Sequence, residues 1–308
     1  MTNLIIDTDI GDDIDDAFAL CLAMQSPEIK LLGVTTVFRC AGARARIAKK
    51  LLTLGGFGNV PVHAGSNRPL QITELFGKPI DYGRLPKEYG PEFDSVEYDG
   101  DDAVAFMANL LAAAAEPVTI VTLGALTNVA RLLTEYPNLK DRIAEIDIMG
   151  GSYFHMNKCE YNFACDPHAA DTVLCAGLKV YCVGVDITFR CRLGEQALDR
   201  LKACTHPCIQ LLMRLNGRWG NRVFLHDPLA LTAAFDKSYL KFRSICCRVE
   251  AEARYANGFV ADMSGVDWLP PHDGVSVNAC YDVDAERFVQ SVVSRLLSFD
   301  SEKTAISL

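Results

Sequence analysis

The segment Leu4-Ile5-Ile6-Asp7-Thr8-Asp9-Ile10-Gly11-Asp12-Asp13-Ile14-Asp15-Asp16 places six aspartates directly behind a short apolar run. So short a stretch cannot spread these carboxylates apart, and two like charges about 4 Å apart repel by roughly 4 kcal/mol at a protein-surface dielectric. A positive partner is required. An all-oxygen donor set suits a hard dication, calcium or magnesium, and leaves no part for soft thiolates. Aspartate is also favoured at helix starts, where it accepts free N–H groups and opposes the helix dipole. That accounts for Asp12 or Asp13, but not for Asp7 and Asp9 at the end of a strand.

Working outward, β-branched apolar runs alternate with helical periodicity. Residues 3–6, 29–37, 60–64, 118–122, 143–149 and 179–185 read as strands; residues 14–25, 43–54, 102–114, 126–135 and 167–176 read as helices. Strands this uniformly apolar, alternating with helices, form a mostly parallel, Rossmann-like α/β sheet covered on both faces. Such sheets bind ligands beyond the carboxyl ends of their strands, where the aspartates sit. After residue 190 the pattern turns helical, at 194–203, 207–217, 228–235 and 284–297, with 245–253 and 274–279 as a peripheral hairpin or added strands. Residues 71–100 show little periodicity, and four prolines fall between Pro69 and Pro91; long loops of this kind form flaps over sites. No linker or internal repeat divides the 308 residues, so a single domain over 1–308 is expected.

Net charge is −9 and the basic residues form no dense block, which argues against nucleic-acid binding. No charged leader with an apolar core opens the chain and no apolar run reaches membrane-spanning length, so a cytoplasmic protein without a membrane partner is expected. The 12 cysteines include no CxxC pair; Cys21, Cys175 and Cys182 lie in apolar patterns and read as buried, reduced thiols.

Three further clusters are candidates to converge on the aspartates. At Thr122-Leu123-Gly124-Ala125-Leu126-Thr127-Asn128 a strand ends, turns and starts a helix, and a freed carbonyl there can ligate a hard metal. An ordinary βα turn explains the same residues. Met149-Gly150-Gly151 precedes a polar loop with Asn157, Glu160 and Asn162, ahead of Asp166-Pro167 as N-cap and N1. In an extended segment Glu160 and Asn162 point the same way and can grip hydroxyls, unless the loop is merely solvated. In His226-Asp227-Pro228, Asp227 fits either an N-cap or a metal shell, and His226 is a side chain able to hand over a proton near neutrality.

Taken in order, residues 7–17, the turn at 124–128, Met149-Gly150-Gly151, Glu160-Tyr161-Asn162 and His226-Asp227-Pro228 resemble the inosine-uridine-preferring nucleoside hydrolase family over nearly the whole chain. The resemblance implies a nucleoside hydrolase fold with extra C-terminal helices, a bound calcium ion, a ribonucleoside substrate and a homodimer or homotetramer. By position it makes Asp9 a calcium ligand and the base that activates water. Asp16, Asp227 and the Leu123 carbonyl become further ligands. Asp15, Glu160 and Asn162 hold the ribose hydroxyls, with Asn157 a looser match and Asp7 ordering the loop from behind. His226 becomes the proton donor to the departing base. Hydrolysis of an N-glycosidic bond suits these groups, because carboxylates beneath the sugar favour the positive charge that grows on the ribose. Attack by water on C1′ then inverts that centre. Trp219 and Phe224 are candidates to stack on the base, with core packing as their ordinary role.

One departure concerns Val37-Phe38-Arg39-Cys40, where relatives carry a Gly-Asn pair that meets the substrate. Cys40 takes the asparagine's place as a candidate substrate contact, with a packing thiol, a weak hydrogen-bond donor or a change of base preference as the other readings of it. Arg39 adds a charge with two roles open, meeting a phosphate or lying on the surface. Two other functional classes share some features. A haloacid-dehalogenase-like phosphohydrolase also begins strand-Asp-x-Asp but leaves Asp15, Asp16, Glu160, Asn162, His226 and Asp227 without work. A non-catalytic calcium-dependent nucleoside or ribose binder would use the same pocket without turnover.

Overall fold

The computed structural model describes residues 1–156, 158–220, 222–253, 255–264 and 274–300. Along the chain the strands are β1 (Thr2–Thr8), β2 (Ile29–Thr36), β3 (Val62–Ala64), β4 (Glu74–Leu75), β5 (Lys78–Pro79), β6 (Val118–Thr122), β7 (Ile143–Met149), β8 (Val180–Val183), β9 (Leu240–Val249), β10 (Val260–Asp262) and β11 (Val275–Val283). The helices are α1 (Asp15–Met24), α2 (Ala41–Leu54), α3 (Ala103–Ala113), α4 (Thr127–Glu135), α5 (Tyr161–Cys165), α6 (Pro167–Leu174), α7 (Val185–Thr188), α8 (Glu195–Ala203), α9 (Pro207–Trp219), α10 (His226–Ala233) and α11 (Ala285–Leu297).

Among the described residues nine strands form one sheet in the order β10-β9-β11-β8-β7-β6-β1-β2-β3. Of these, β9 is the strand reversed in direction, pairing antiparallel with β10 and β11 on its two sides. The apolar strands are sandwiched as their composition requires. Leu4 and Ile6 of β1 face the layer built from α1, α2, α9, α10 and α11, while Ile5 between them faces α3, α4 and α6. Alternation along a strand buries both faces, and fully burying a side chain of this size contributes roughly 1.5–3 kcal/mol.

The chain passes from β1 outward to β2 and β3, then returns so that β6 pairs with the other side of β1. This is a topological switch point, where adjacent loops leave in opposite directions and open a crevice. Both Asp9 and Gly124 follow directly from the strands that flank it.

Three boundaries differ from the sequence pattern. The strand expected at 179–185 stops at Val183, because Gly184 opens the short helix α7. Residues 245–253 and 274–279 are integral strands rather than a peripheral hairpin, since β11 pairs parallel with β8 and β9 stops at Val249. Helix α10 begins at His226 with Leu225 as its N-cap, so Asp227 is not spent on capping. The thiols expected to be reduced are free, but Cys175 is exposed rather than buried. Among the described residues no helix is long and apolar enough to cross a membrane.

Gly11 holds φ at +113°, and an added Cβ would sit 2.7 Å from Pro86 Cβ and 2.8 Å from Ile47 Cδ1. The aspartate loop therefore reaches its conformation only with glycine there. Gly11→Ala is expected to lower the unfolding free energy by about 1–3 kcal/mol, from left-handed strain plus overpacking. Urea denaturation of the variant beside the parent measures it.

Candidate active site

The aspartate loop is shaped from below by Arg44 of α2. Its side chain is 1% exposed. Nη1 donates to the carbonyls of Asp9 and Ile10, Nε donates to the Phe38 carbonyl at 2.8 Å, and Nη2 meets Asp12 Oδ2 at 2.9 Å. Carbonyls at a strand end normally face water, so a buried guanidinium supplies their partners. Asp12 also accepts two 2.8 Å hydrogen bonds from Arg84 Nη2. It is thus a bracket between helix α2 and the 71–100 segment, and its carboxyl stays below the ordinary range despite partial burial because Arg44, Arg84 and Arg39 surround it.

Asp7 points the other way. Its Oδ1 accepts from Thr35 at 2.6 Å and Asn128 at 2.8 Å, and burial lifts its pKa to about 6. Asn128 also donates to the Thr36 carbonyl and accepts from the Ser66 backbone, so it ties three strand ends together. That function is invisible in a sequence that reads as an ordinary helix start.

Asp15, Asp16 and Asp227 each offer an oxygen within 4.8 Å of the others. All three are buried. The Asp227 backbone N–H donates to Asp15 Oδ2 at 3.2 Å, and Thr8 donates to Asp16 Oδ1. Burial pushes Asp9 up to about 6 and Asp15 to about 7, and Asp16 and Asp227 rise well above the carboxylate range. After burial, the charges acting most on Asp227 are Asp15, Asp16, Asp9 and Asp13. Arg44 offsets part of this repulsion at Asp9 and Asp16 alone. A dry cluster of carboxylates with so little cationic compensation is the electrostatic signature of a hard-cation site, and every donor is oxygen. The residues fit a metal ion.

Leu123 and Gly124 close in from β6. A Cβ on Gly124 would lie 2.8 Å from Asp9 Cβ and 2.9 Å from its backbone nitrogen, so the turn passes directly against Asp9. The Leu123 carbonyl accepts 2.7 Å from Asn162 Nδ2, which also donates to the Met149 carbonyl at 3.1 Å. Glu160 and Asn162 do not share a face of an extended segment as the sequence suggests. Glu160 caps α5, accepting from the backbones of Asn162, Phe163 and Gly151, while Asn162 sits in the helix's first turn. Burial nevertheless moves Glu160 to about 7.

These groups surround a cavity of about 780 Å³ lined by Asp9, Asp15, Asp16, Leu123, Glu160, Asn162, His226 and Asp227, among others. The 71–100 segment supplies one wall, including Phe76, Lys78 and Arg84. Trp219 also lines the cavity, while Phe224 packs on Phe189 at 5.2 Å between ring centroids. Cys40 stands outside it, as N-cap of α2, with its thiol donating to the Tyr82 carbonyl at 3.4 Å. Asn157 lies outside the described residues.

His226 departs from the expected near-neutral titration: burial pushes its pKa to about 4, with Asp13 acting in the opposite direction. Its Nδ1 is 2.5 Å from Thr188 Oγ1. The Thr188 hydroxyl also reaches the Val185 carbonyl at 3.4 Å; when its proton turns to Nδ1 instead, the neutral ring carries its own proton on Nε2. Thr188 and Arg44 carry no sequence signal of their role, one lying between the expected strand at 179–185 and the next expected helix at 194–203, the other on an ordinary helix face. Glu88, fully buried with neither oxygen partnered, is likewise hidden in the aperiodic 71–100 stretch.

Removing Arg44 leaves the carbonyls of Asp9, Ile10 and Phe38 without their buried donor and takes from Asp12 its most buried cationic partner. Arg44→Met is expected to cost about 3–5 kcal/mol of stability, the range for breaking one side of a buried ion pair. Chemical denaturation followed by circular dichroism measures it.

Comparison with known proteins points one way. The chain is 31% identical over 317 residues to the pyrimidine-specific ribonucleoside hydrolase RihA of Photobacterium profundum, covering 96% of this chain and 99% of that protein. It is also 31% identical over 314 residues to RihA of Salmonella typhimurium, covering 95% and 97%. Its fold matches a plant nucleoside hydrolase, PpNRh1, at a TM-score of 0.83 with 24% identity over 96% of this chain and 99% of that one. The purine-preferring ribonucleoside hydrolase from Gardnerella vaginalis follows at 0.80, with 23% identity over 97% and 99%. With residues 4–290 matching the family model for inosine-uridine preferring nucleoside hydrolases, the chain belongs to that family.

Proposed function

We propose that this enzyme hydrolyses the N-glycosidic bond of ribonucleosides, giving free base and ribose, with calcium as its metal. The observation that carries the reading is the buried trio Asp15, Asp16 and Asp227 at a cavity also lined by Asp9, Glu160, Asn162 and His226. Asp9, Asp16, Asp227 and the Leu123 carbonyl would hold the ion. When bound, it would supply Lewis acidity that lowers the pKa of a water and favours vicinal hydroxyls.

The protein's own groups account for the rest. Asp9 takes a proton from the water that attacks C1′. Asn162 has committed its amide N–H₂ to two carbonyls, so it offers Oδ1 as an acceptor for a ribose hydroxyl. Asp15 and Glu160 accept from the remaining hydroxyls, Glu160 through lone pairs beyond its three backbone contacts. As the glycosidic bond lengthens, these carboxylates stabilise positive charge on the ribose more than they stabilise the bound substrate. His226 presents Nε2–H to the departing base, a hydrogen bond that strengthens as negative charge builds there. Cys40, whose thiol donates to the Tyr82 carbonyl outside the cavity lining, is given no step in this reading. The family resemblance further carries a homodimer or homotetramer, while work in the cytoplasm is the expectation from the sequence itself.

The test is a base-release screen over ribonucleosides with and without a calcium chelator. Chelation is expected to abolish release and calcium to restore it. Asp9→Asn should lose about 10²–10⁴-fold in kcat, the range for removing a general base, with its melting temperature near the parent's. Ligand-dependent thermal stabilisation without any free base would instead establish a binder without turnover.

His226→Ala separates the leaving-group role. The loss in kcat is expected to be at least ~10-fold larger on a natural ribonucleoside than on nitrophenyl riboside, whose leaving group needs no assistance. Equal losses on both would remove His226 from that role.

A further inference from the structure

We infer that the cavity takes ribonucleosides bearing an anion at the ribose end, a 5′-monophosphate, gripped by Arg39. The inference rests on the ribonucleoside reading above and adds the charge class of the substrate. Five cationic side chains line the cavity: Arg39, Lys78, Arg84, Lys87 and Lys158. A neutral nucleoside gives them nothing to pair with.

Their present partners differ. Arg84 is committed to both oxygens of Asp12, and Lys87 lies 4.4 Å over the Trp219 ring. Arg39 is not committed in this way. Asp12 is already saturated by Arg44 and Arg84, and Arg39 Nη1 stands 3.8 Å from its Oδ2, beyond hydrogen-bonding distance. The Arg39 Nε is buried with no hydrogen-bond partner, although its side chain is only 12% exposed. A residue serving only to neutralise the acidic floor would close onto a carboxylate. Here a planar fork suited to two parallel N–H···O contacts with a phosphate is held open.

The backbone is set to hold it there. Arg39 has φ +58° and Phe38 has φ +70°, two successive non-glycine residues in the left-handed region. Such strain persists where surrounding structure enforces it and gathers at ligand-binding positions. The guanidinium lies 5.0 Å over the Phe38 ring, and the Phe38 carbonyl is held by Arg44. The charge therefore faces the cavity rather than solvent.

Position selects the ribose end. Phe38, whose ring lies under the guanidinium, packs with Ala164 and Cys165 of α5, the helix that also carries Asn162 and is capped by Glu160, and Arg39, Glu160 and Asn162 line the same cavity. His226 and Trp219 belong to other elements, α10 and the end of α9. With the sugar hydroxyls at Glu160 and Asn162, an anion near Arg39 is a substituent on the sugar, not on the base. Lys78 and Lys158 make no ion pair among the described residues and add positive potential to the same cavity.

The experiment uses calcium-loaded enzyme and three substrates: a ribonucleoside that it turns over, the same nucleoside as its 5′-monophosphate, and a ribonucleoside with a carboxylate on the base. The ratio of kcat/KM for the 5′-monophosphate over the plain nucleoside is expected to be ~10 or more, a tenfold step in binding. Arg39→Gly, which suits the backbone at that φ, is expected to lower the ratio by ~30-fold or more, and Arg39→Lys to restore part of it. Melting curves confirm that each variant is folded, and the parent's ratio is decisive even without them. A ratio at or below one, or one unchanged by Arg39→Gly, overturns the inference, as does a preference for the base-borne carboxylate over the phosphate. In those cases release of base from the plain nucleoside leaves the hydrolase reading standing. Release from none of the three removes both.

Discussion

Repulsion among carboxylates that the chain cannot separate governs this molecule. Asp7, Asp9, Asp15, Asp16 and Asp227 are all buried, and each is pushed towards the protonated form by that burial. Burying like charges together is unfavourable unless counter-charge or hydrogen bonds offset it. The protein divides the task. Asp7 is satisfied by Thr35 and Asn128, Asp12 by Arg44 and Arg84, and the remaining cluster is left for a dication. Structure and site are therefore one electrostatic arrangement: the arginine that shapes the loop also sets how much negative charge remains for the ion.

The parallel sheet makes this arrangement possible. Its switch point lies between β1 and β6, so the loops carrying Asp9 and Gly124 diverge there and leave room for a ligand. Asp227 arrives from far along the chain, at the start of α10, where the helix's free N–H groups favour a carboxylate. A short capping box elsewhere holds Glu160 against α5. Three different helix starts thus present their acidic residues to one crevice.

Much of this was legible in the residues. Strands β6 and β7 match the apolar runs residue for residue, and the carboxylates from both ends of the chain meet as their chemistry demands. What stayed hidden has physical reasons. Arg44 looks like any helix cation, because only the tertiary fold reveals that its side chain points under a loop rather than into water. Thr188 lies in a stretch to which the pattern assigns no element, and only the short helix opened by Gly184 carries it to His226. Glu160 and Asn162 both line the cavity, but not through the extended geometry expected, since capping of α5 outweighs extension. Cys40 follows the second strand as expected, yet its thiol donates to the Tyr82 carbonyl and it is not among the residues that line the cavity.

The wall of the cavity is fastened unevenly. Arg84 grips Asp12, and the Glu88 backbone N–H donates 2.9 Å to the Gly11 carbonyl, so residues 84–88 are anchored to the floor. The two-stranded ribbon of β4 and β5 lies beyond that anchorage, joined by a Phe76-Gly77 turn and with Phe76 63% exposed. Leu75 and Ile80 at the base of the ribbon pack with Val37, Phe38 and Ala164, so the ribbon is held by apolar contact where the lower wall is held by charge, and its tip projects into solvent at Phe76.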